Sequence, residues 1–148
     1  MTHTLWNADD RASVLNRFGQ LAEGARPKWG SFDAPRMVTH VTDALRAGLG
    51  EIAVAPRPSF LGRWPINVLV MFHVPWPKSA PTAPELLRRT PEEWQAELGT
   101  LRDAVERFGQ RDVNGPWARH AAFGNIGGSG WGRLMYRHFD HHLTQFGA

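Results

Sequence analysis

The chain has 148 residues, 42% of them hydrophobic and 21% charged, with seven Trp, eight Phe and a formal net charge of +3. This composition fits one packed globular domain over residues 1–148, and a chain of this size buries about two thirds of its unfolded surface. There is no cysteine, which excludes disulfides, thiolate metal clusters and a protein thiol nucleophile.

Residues Met1 to Asp10 lack a basic stretch followed by an apolar one, so no secretory signal is read and a cytoplasmic location is expected. His3 is expected to be disordered with the terminus. Asn7 can cap a first helix from Ala8 to about Glu23, with Val14, Leu15, Phe18, Leu21 and Ala22 at helical spacing. A Gly- and Pro-containing loop from Gly24 to Phe32 leads to Asp33, the cap of a second helix ending near Leu49 and Gly50. Its apolar stripe is Met37, Val41, Ala44 and Leu45, with His40 at the edge.

From Glu51 to Pro84 the chain is broken by Pro56, Pro58, Pro65, Pro75, Pro77, Pro81 and Pro84. Within it, Arg63 to His73 reads as a short buried helix started by Pro65 or as a strand; the helix is preferred. Thr90, Pro91 and Glu93 form a capping box that opens a helix to about Phe108, with Gly109 as its stop. Its stripe is Trp94, Leu98, Leu101, Val105 and Phe108. A turn-rich link through Asn114, Gly115 and Pro116 and a flexible glycine-dense linker, Gly124 to Gly130, precede a last helix, Trp131 to Phe146. Helices without alternating strands, and a long connection between the second and third, predict an all-α four-helix bundle.

On the last helix His138 and His142 are four residues apart, about 40° around the axis, so both imidazoles can reach one ion. Trp131, Leu134 and Met135 share that face, and Gln145 falls close to His138. His141 lies about 60° from His138 on the side away from His142 and is left out of the pair. Two imidazoles in an apolar stripe need partners, and a bound cation supplies one; His40 can add a third nitrogen from a facing helix. Three nitrogens leave coordination positions open, as in catalytic sites, and suit zinc, nickel, iron or copper. The alternative is a set of core histidines bonded to backbone or to one another.

The segments "YRHFDHHLTQFG" (Tyr136 to Gly147), "HAAFG" (His120 to Gly124), "WGSFDAPRMVTH" (Trp29 to His40) and "PWPKSAPTAPELL" (Pro75 to Leu87) together resemble the DinB-like (DinB/YfiT) superfamily, and within it an uncharacterised subfamily. The resemblance implies an up-down-down-up four-helix bundle with a long crossover between helices 2 and 3, often a homodimer. It implies a divalent metal held by one histidine of the second helix, here His40, and two of the fourth, here His138 and His142, followed by Gln145. It also implies small-molecule chemistry of the S-transferase or isomerase kind with a low-molecular-weight thiol as cosubstrate, and it does not imply DNA binding. The chain departs from the family pattern before the last helix, where Gly127, Gly128, Ser129 and Gly130 replace a serine cap and an acid.

Other residues have two readings each. His120 is a substrate contact or bonds local backbone; Asp43, one turn after His40, orients that ring or is an exposed helix acid. His73 is a fourth ligand or a surface histidine, while Trp94 and Trp131 are core before they are stacking platforms. Gly124 to Gly130 is not a phosphate loop, because no strand precedes it and no Lys follows. GxSxG and HExxH are absent, so neither a serine hydrolase nor a zincin is supported. Fifteen Arg and two Lys are scattered rather than striped, which argues against nucleic acid. The apolar run Val68 to Phe72 is far below the roughly 20 residues of a membrane span. The leading expectation is a metal-dependent enzyme whose ion, zinc, nickel or iron, activates water or a thiol toward a small electrophile. The alternative is a non-catalytic bundle that binds a small molecule or acts as a dimeric interaction module.

Overall fold

The computed structural model describes residues 2–78 and 80–148. Its elements are α1 (Ala8–Gln20), α2 (Ala34–Gly48), α3 (Ile66–Phe72), α4 (Trp94–Gln110) and α5 (Gly127–Gln145), with single 3-10 turns at Phe60–Gly62 and Pro84–Leu87. Among the described residues there is no strand, only an isolated antiparallel bridge between His120 and Gly124. The four long helices close a ring: α2 packs on α4 and α5, and α1 packs on the same two. The core inside the ring holds Phe18, Met37, Val41, Phe108, Met135 and Phe139, each almost without solvent contact.

The first two helices start where their caps place them. The Asn7 side chain accepts from the Asp9 and Asp10 amides at 2.8 and 3.2 Å, and Asp33 accepts from the Arg36 amide at 2.8 Å. α1 ends at Gln20 rather than Glu23, because Leu21 turns extended and drops its side chain into the core. His3 is ordered, contrary to expectation: its Nδ1 is 2.7 Å from Asp10 and its ring stacks on Tyr136 at 4.8 Å.

Three further expectations are corrected. α4 begins at Trp94 with Glu93 itself as the cap, its carboxylate accepting from the Ala96 amide at 3.1 Å, and it runs through Gly109 to Gln110. Gly109 does not stop the helix; its bare face admits the Arg11 guanidinium, which a Cβ would meet at 2.7 Å. The glycine-dense stretch is not a linker either, since Gly127 to Gly130 are the first turn of α5. A Cβ on Gly128 would stand 2.3 Å from the Val113 carbonyl and one on Gly132 would stand 2.4 Å from Trp6. The Trp6 indole N–H also donates to the Gly128 carbonyl at 2.9 Å. Finally, α3 is a helix but not a buried one: only Met71 is buried, and Leu69 is 52% exposed.

A buried ion network ties α2 to α4. Asp43 and Glu97 are 2% and 1% exposed, and Arg89 bridges them, with Nε 3.2 Å from Asp43 and Nη1 2.7 Å from Glu97. Arg46 reaches Asp43 at 3.4 Å. The bridge holds the strap of chain after Pro84–Leu87 against α2, where the Leu86 backbone stands beside His40.

Candidate metal centre

The ring of helices brings His40 of α2 against His138 and His142 of α5. His40 and His142 are buried and His138 is half-buried. His138 Nε2 lies 3.0 Å from His40 Nε2 and 3.1 Å from His142 Nε2, and one ligand atom from each ring falls within 4.8 Å of the others. Nitrogens bound to one zinc at its usual bond length are separated by about 2.9 to 3.4 Å for angles near 90 to 110°. Both short contacts fall in that interval.

The neighbours settle which nitrogen of His142 faces inward. Gln145 Nε2 donates to the Trp29 carbonyl at 2.8 Å, so its Oε1 is the atom 2.7 Å from His142 Nδ1, and Nδ1 must carry the proton. The His142 Nε2 lone pair therefore points at His138. Burial is the main force on all three rings and it disfavours the charged form. It pushes His40 down to about 3, helped by His142 and opposed by the Leu86 backbone. It pushes His142 down to about 4, opposed by the Gln145 hydrogen bond and helped by His141. His138 is held well below the ordinary range by burial and then by His142 and His40.

Three neutral imidazoles cannot satisfy this geometry alone. His138 Nε2 carries one N–H or one lone pair on a single axis, so it makes a well-aligned hydrogen bond with His40 or with His142, not both. The other contact then sets two lone pairs or two N–H groups face to face, or shares one proton off axis. His40 Nδ1 is also buried without a hydrogen-bond partner, the nearby Leu86 backbone not closing one. Aromatic walls shut the group in: Phe32 packs 5.3 Å from His40 and 6.1 Å from His142, and Trp76 stands 6.0 Å from His138.

The remaining candidates lie elsewhere. Gln145 supports His142, three residues before it, rather than His138. Asp43 does not orient His40; its carboxylate is taken by Arg89 and Arg46. His120 is outside the group: its Nδ1 accepts from the Ala122 and Phe123 amides, both at 3.1 Å, and burial pushes it down to about 4. His141 turns to Trp29 and Trp76, and His73 caps α3. Trp94 and Trp131 are core. Sequence reasoning passed over Phe32, Trp29 and Trp76, which sit in loops with no period to mark them. It also passed over Glu97, for which a signal existed: an acid three residues after Trp94, on the apolar stripe of its helix.

Residues 7–148 match the family described as Protein of unknown function (DUF1569). The chain belongs to this family. No curated protein and no solved structure matches it. The DUF1569 match spans all four long helices, so the three histidines lie within the matched residues. No helix among the described residues is long and apolar enough to cross a membrane.

Proposed function

We propose that His40, His138 and His142 hold one divalent transition-metal ion and that this DUF1569 chain is a metal-dependent enzyme of the DinB-like type acting on a small electrophile. The observation that carries the reading is the pair of Nε2 contacts at 3.0 and 3.1 Å on His138, of which neutral rings can satisfy only one. A cation at the centre accepts all three lone pairs and removes the conflict. Gln145 then acts as the outer partner that orients a ligating imidazole, a role usually filled by such a group. The closed ring of α1, α2, α4 and α5, with the long crossover from α2 to α4, supports an up-down-down-up bundle.

Three nitrogens leave coordination positions for a reactant, and the metal there supplies a Lewis acid that lowers the pKa of bound water or thiol. The chain has no cysteine, so a thiol nucleophile comes from a low-molecular-weight cosubstrate. The protein's own part is to keep the imidazoles neutral by burial, fix the His142 tautomer through Gln145, and exclude water with Phe32 and Trp76.

Elemental analysis of protein purified without chelator or metal-affinity resin tests this. About one equivalent of zinc, nickel or iron per chain is expected. Less than about a tenth of an equivalent, with no uptake of added zinc or nickel, rules the metal out.

A further inference from the structure

Beside the three histidines lies an open cleft of about 200 Å3, lined by Trp29, Trp76, Arg137, Asp140, His141 and Thr144. It is one ring layer from the proposed metal: Trp76 stands edge-on to His138 at 6.0 Å and His141 edge-on to His142 at 5.2 Å.

The charges around it are unbalanced. Asp140 is the one acid in the lining and is already paired with Arg17 at 2.8 Å. Arg137 spends its guanidinium on the carbonyls of Val70, Met71 and Val74, which orient the charge without neutralising it. Among the described residues neither Arg137 nor Lys78 has a carboxylate at ion-pair distance. Arg137 lies 4.9 Å over Trp76 and the Lys78 ammonium 4.9 Å over Trp29. Two indoles and an acid would by themselves suit a cationic ligand. Here each indole already holds a cation of the protein, and a second would be repelled. The excess positive charge selects an anion, and the indoles select a flat apolar body. At about 200 Å3 the cleft is smaller than the roughly 300 to 1,000 Å3 of ordinary ligand pockets, which suits a small molecule.

We propose that this cleft is the substrate-recognition pocket of the metal site and takes a small aromatic carboxylate, its anionic end drawn to Arg137 and Lys78 and its ring set against Trp29 and Trp76. The assignment as a substrate pocket rests on the metal reading above.

The test is a calorimetric titration with sodium benzoate, run on the protein before and after addition of one equivalent of zinc, with benzylamine as the cationic counterpart. Benzoate should saturate one site in the millimolar range or below, and benzylamine should bind at least about tenfold more weakly. Lys78→Gln and Arg137→Gln should each weaken benzoate about tenfold. Among the described residues Lys78 makes no side-chain hydrogen bond, so its variant reports on binding even if Arg137→Gln loosens α3. Equal binding of the two probes, no saturation by about 20 mM, or benzoate binding indifferent to both variants overturns the pocket. Zinc uptake without benzoate binding overturns the pocket alone. Benzoate binding without zinc uptake overturns the metal reading and leaves the anion selectivity of the cleft intact.

Discussion

Gln145 decides which face of His142 is available to a ligand. By giving its N–H to the Trp29 carbonyl at 2.8 Å it must present its oxygen to His142 Nδ1 at 2.7 Å, which leaves Nε2 bare and directed at His138. Removing that acceptor frees the ring to turn and to change tautomer. Gln145→Leu should weaken zinc binding about 10 to 100-fold, the usual loss for an outer partner of a ligating histidine, while the helix content stays native. Chelator competition measures it; an affinity within about threefold of the native protein would show that Gln145 does not orient the ring.

His141 and His142 are adjacent and should behave oppositely. His142 is buried with its Nε2 3.1 Å from His138, whereas His141 packs between the indoles of Trp29 and Trp76 at 5.9 and 5.8 Å. His142→Ala should abolish tight zinc binding, and His141→Ala should retain most of it. The reverse order in a metal-affinity measurement would place the site on the wrong side of α5.

The metal-free protein should lose stability as pH falls from about 6.5 toward 4. The sign follows from burial: His142 is pushed down to about 4 and His40 to about 3, so in this window the unfolded chain takes up protons that the folded chain refuses. Stability is complete above the ordinary histidine range and is lost progressively below it, and zinc binding weakens in the same direction because only neutral imidazole ligates. Urea midpoints measured on chelator-treated protein from pH 7.5 to 5 check this. A flat profile would mean that the three rings are not buried together.

Arg89 bridges two carboxylates that are almost without solvent. Arg89→Met should cost about 3 kcal/mol or more, because it leaves Asp43 and Glu97 buried and facing each other across α2 and α4. Adding Asp43→Asn and Glu97→Gln to that variant should restore part of the loss. Denaturant titration of the single and triple variants decides; equal stability of Arg89→Met and native protein would show that the carboxylates reach water.

Gly128→Ala should destabilise by about 1 to 3 kcal/mol, since its Cβ would stand 2.3 Å from the Val113 carbonyl and 2.5 Å from the Trp117 indole nitrogen. An unchanged melting temperature would show that the 113–117 loop yields at no cost.

These residues show what was legible in advance and what was not. His138 and His142 could be read directly because they stand four apart on one helix, where angle alone places side chains, whereas Gln145, expected beside His138, pairs with His142. His40 needed a second helix of unknown orientation, which periodicity does not supply; the likeness of "WGSFDAPRMVTH" to a family pattern pointed to it. The start of α5 was hidden because glycine signals flexibility locally, while here it opens room for Trp6 and Trp117 arriving from distant parts of the chain. Asp43 stands one turn from His40 and was open to two readings, a partner of that ring or an exposed acid; it is neither, because Arg89, 46 residues away, takes its buried carboxylate. Trp29, Phe32 and Trp76 come from loops whose course is set by tertiary contacts, so nothing in their spacing announced that they would wall the site.

Zinc K-edge absorption on the zinc-loaded protein tests whether His40, His138 and His142 share one ion. Three histidine nitrogens at about 2.0 to 2.1 Å are expected, with imidazole outer-shell scattering and one or more lighter ligands, and a drop to two imidazoles or loss of the metal in His40→Ala. A bound zinc with oxygen ligands only, or a spectrum unchanged by His40→Ala, would contradict it.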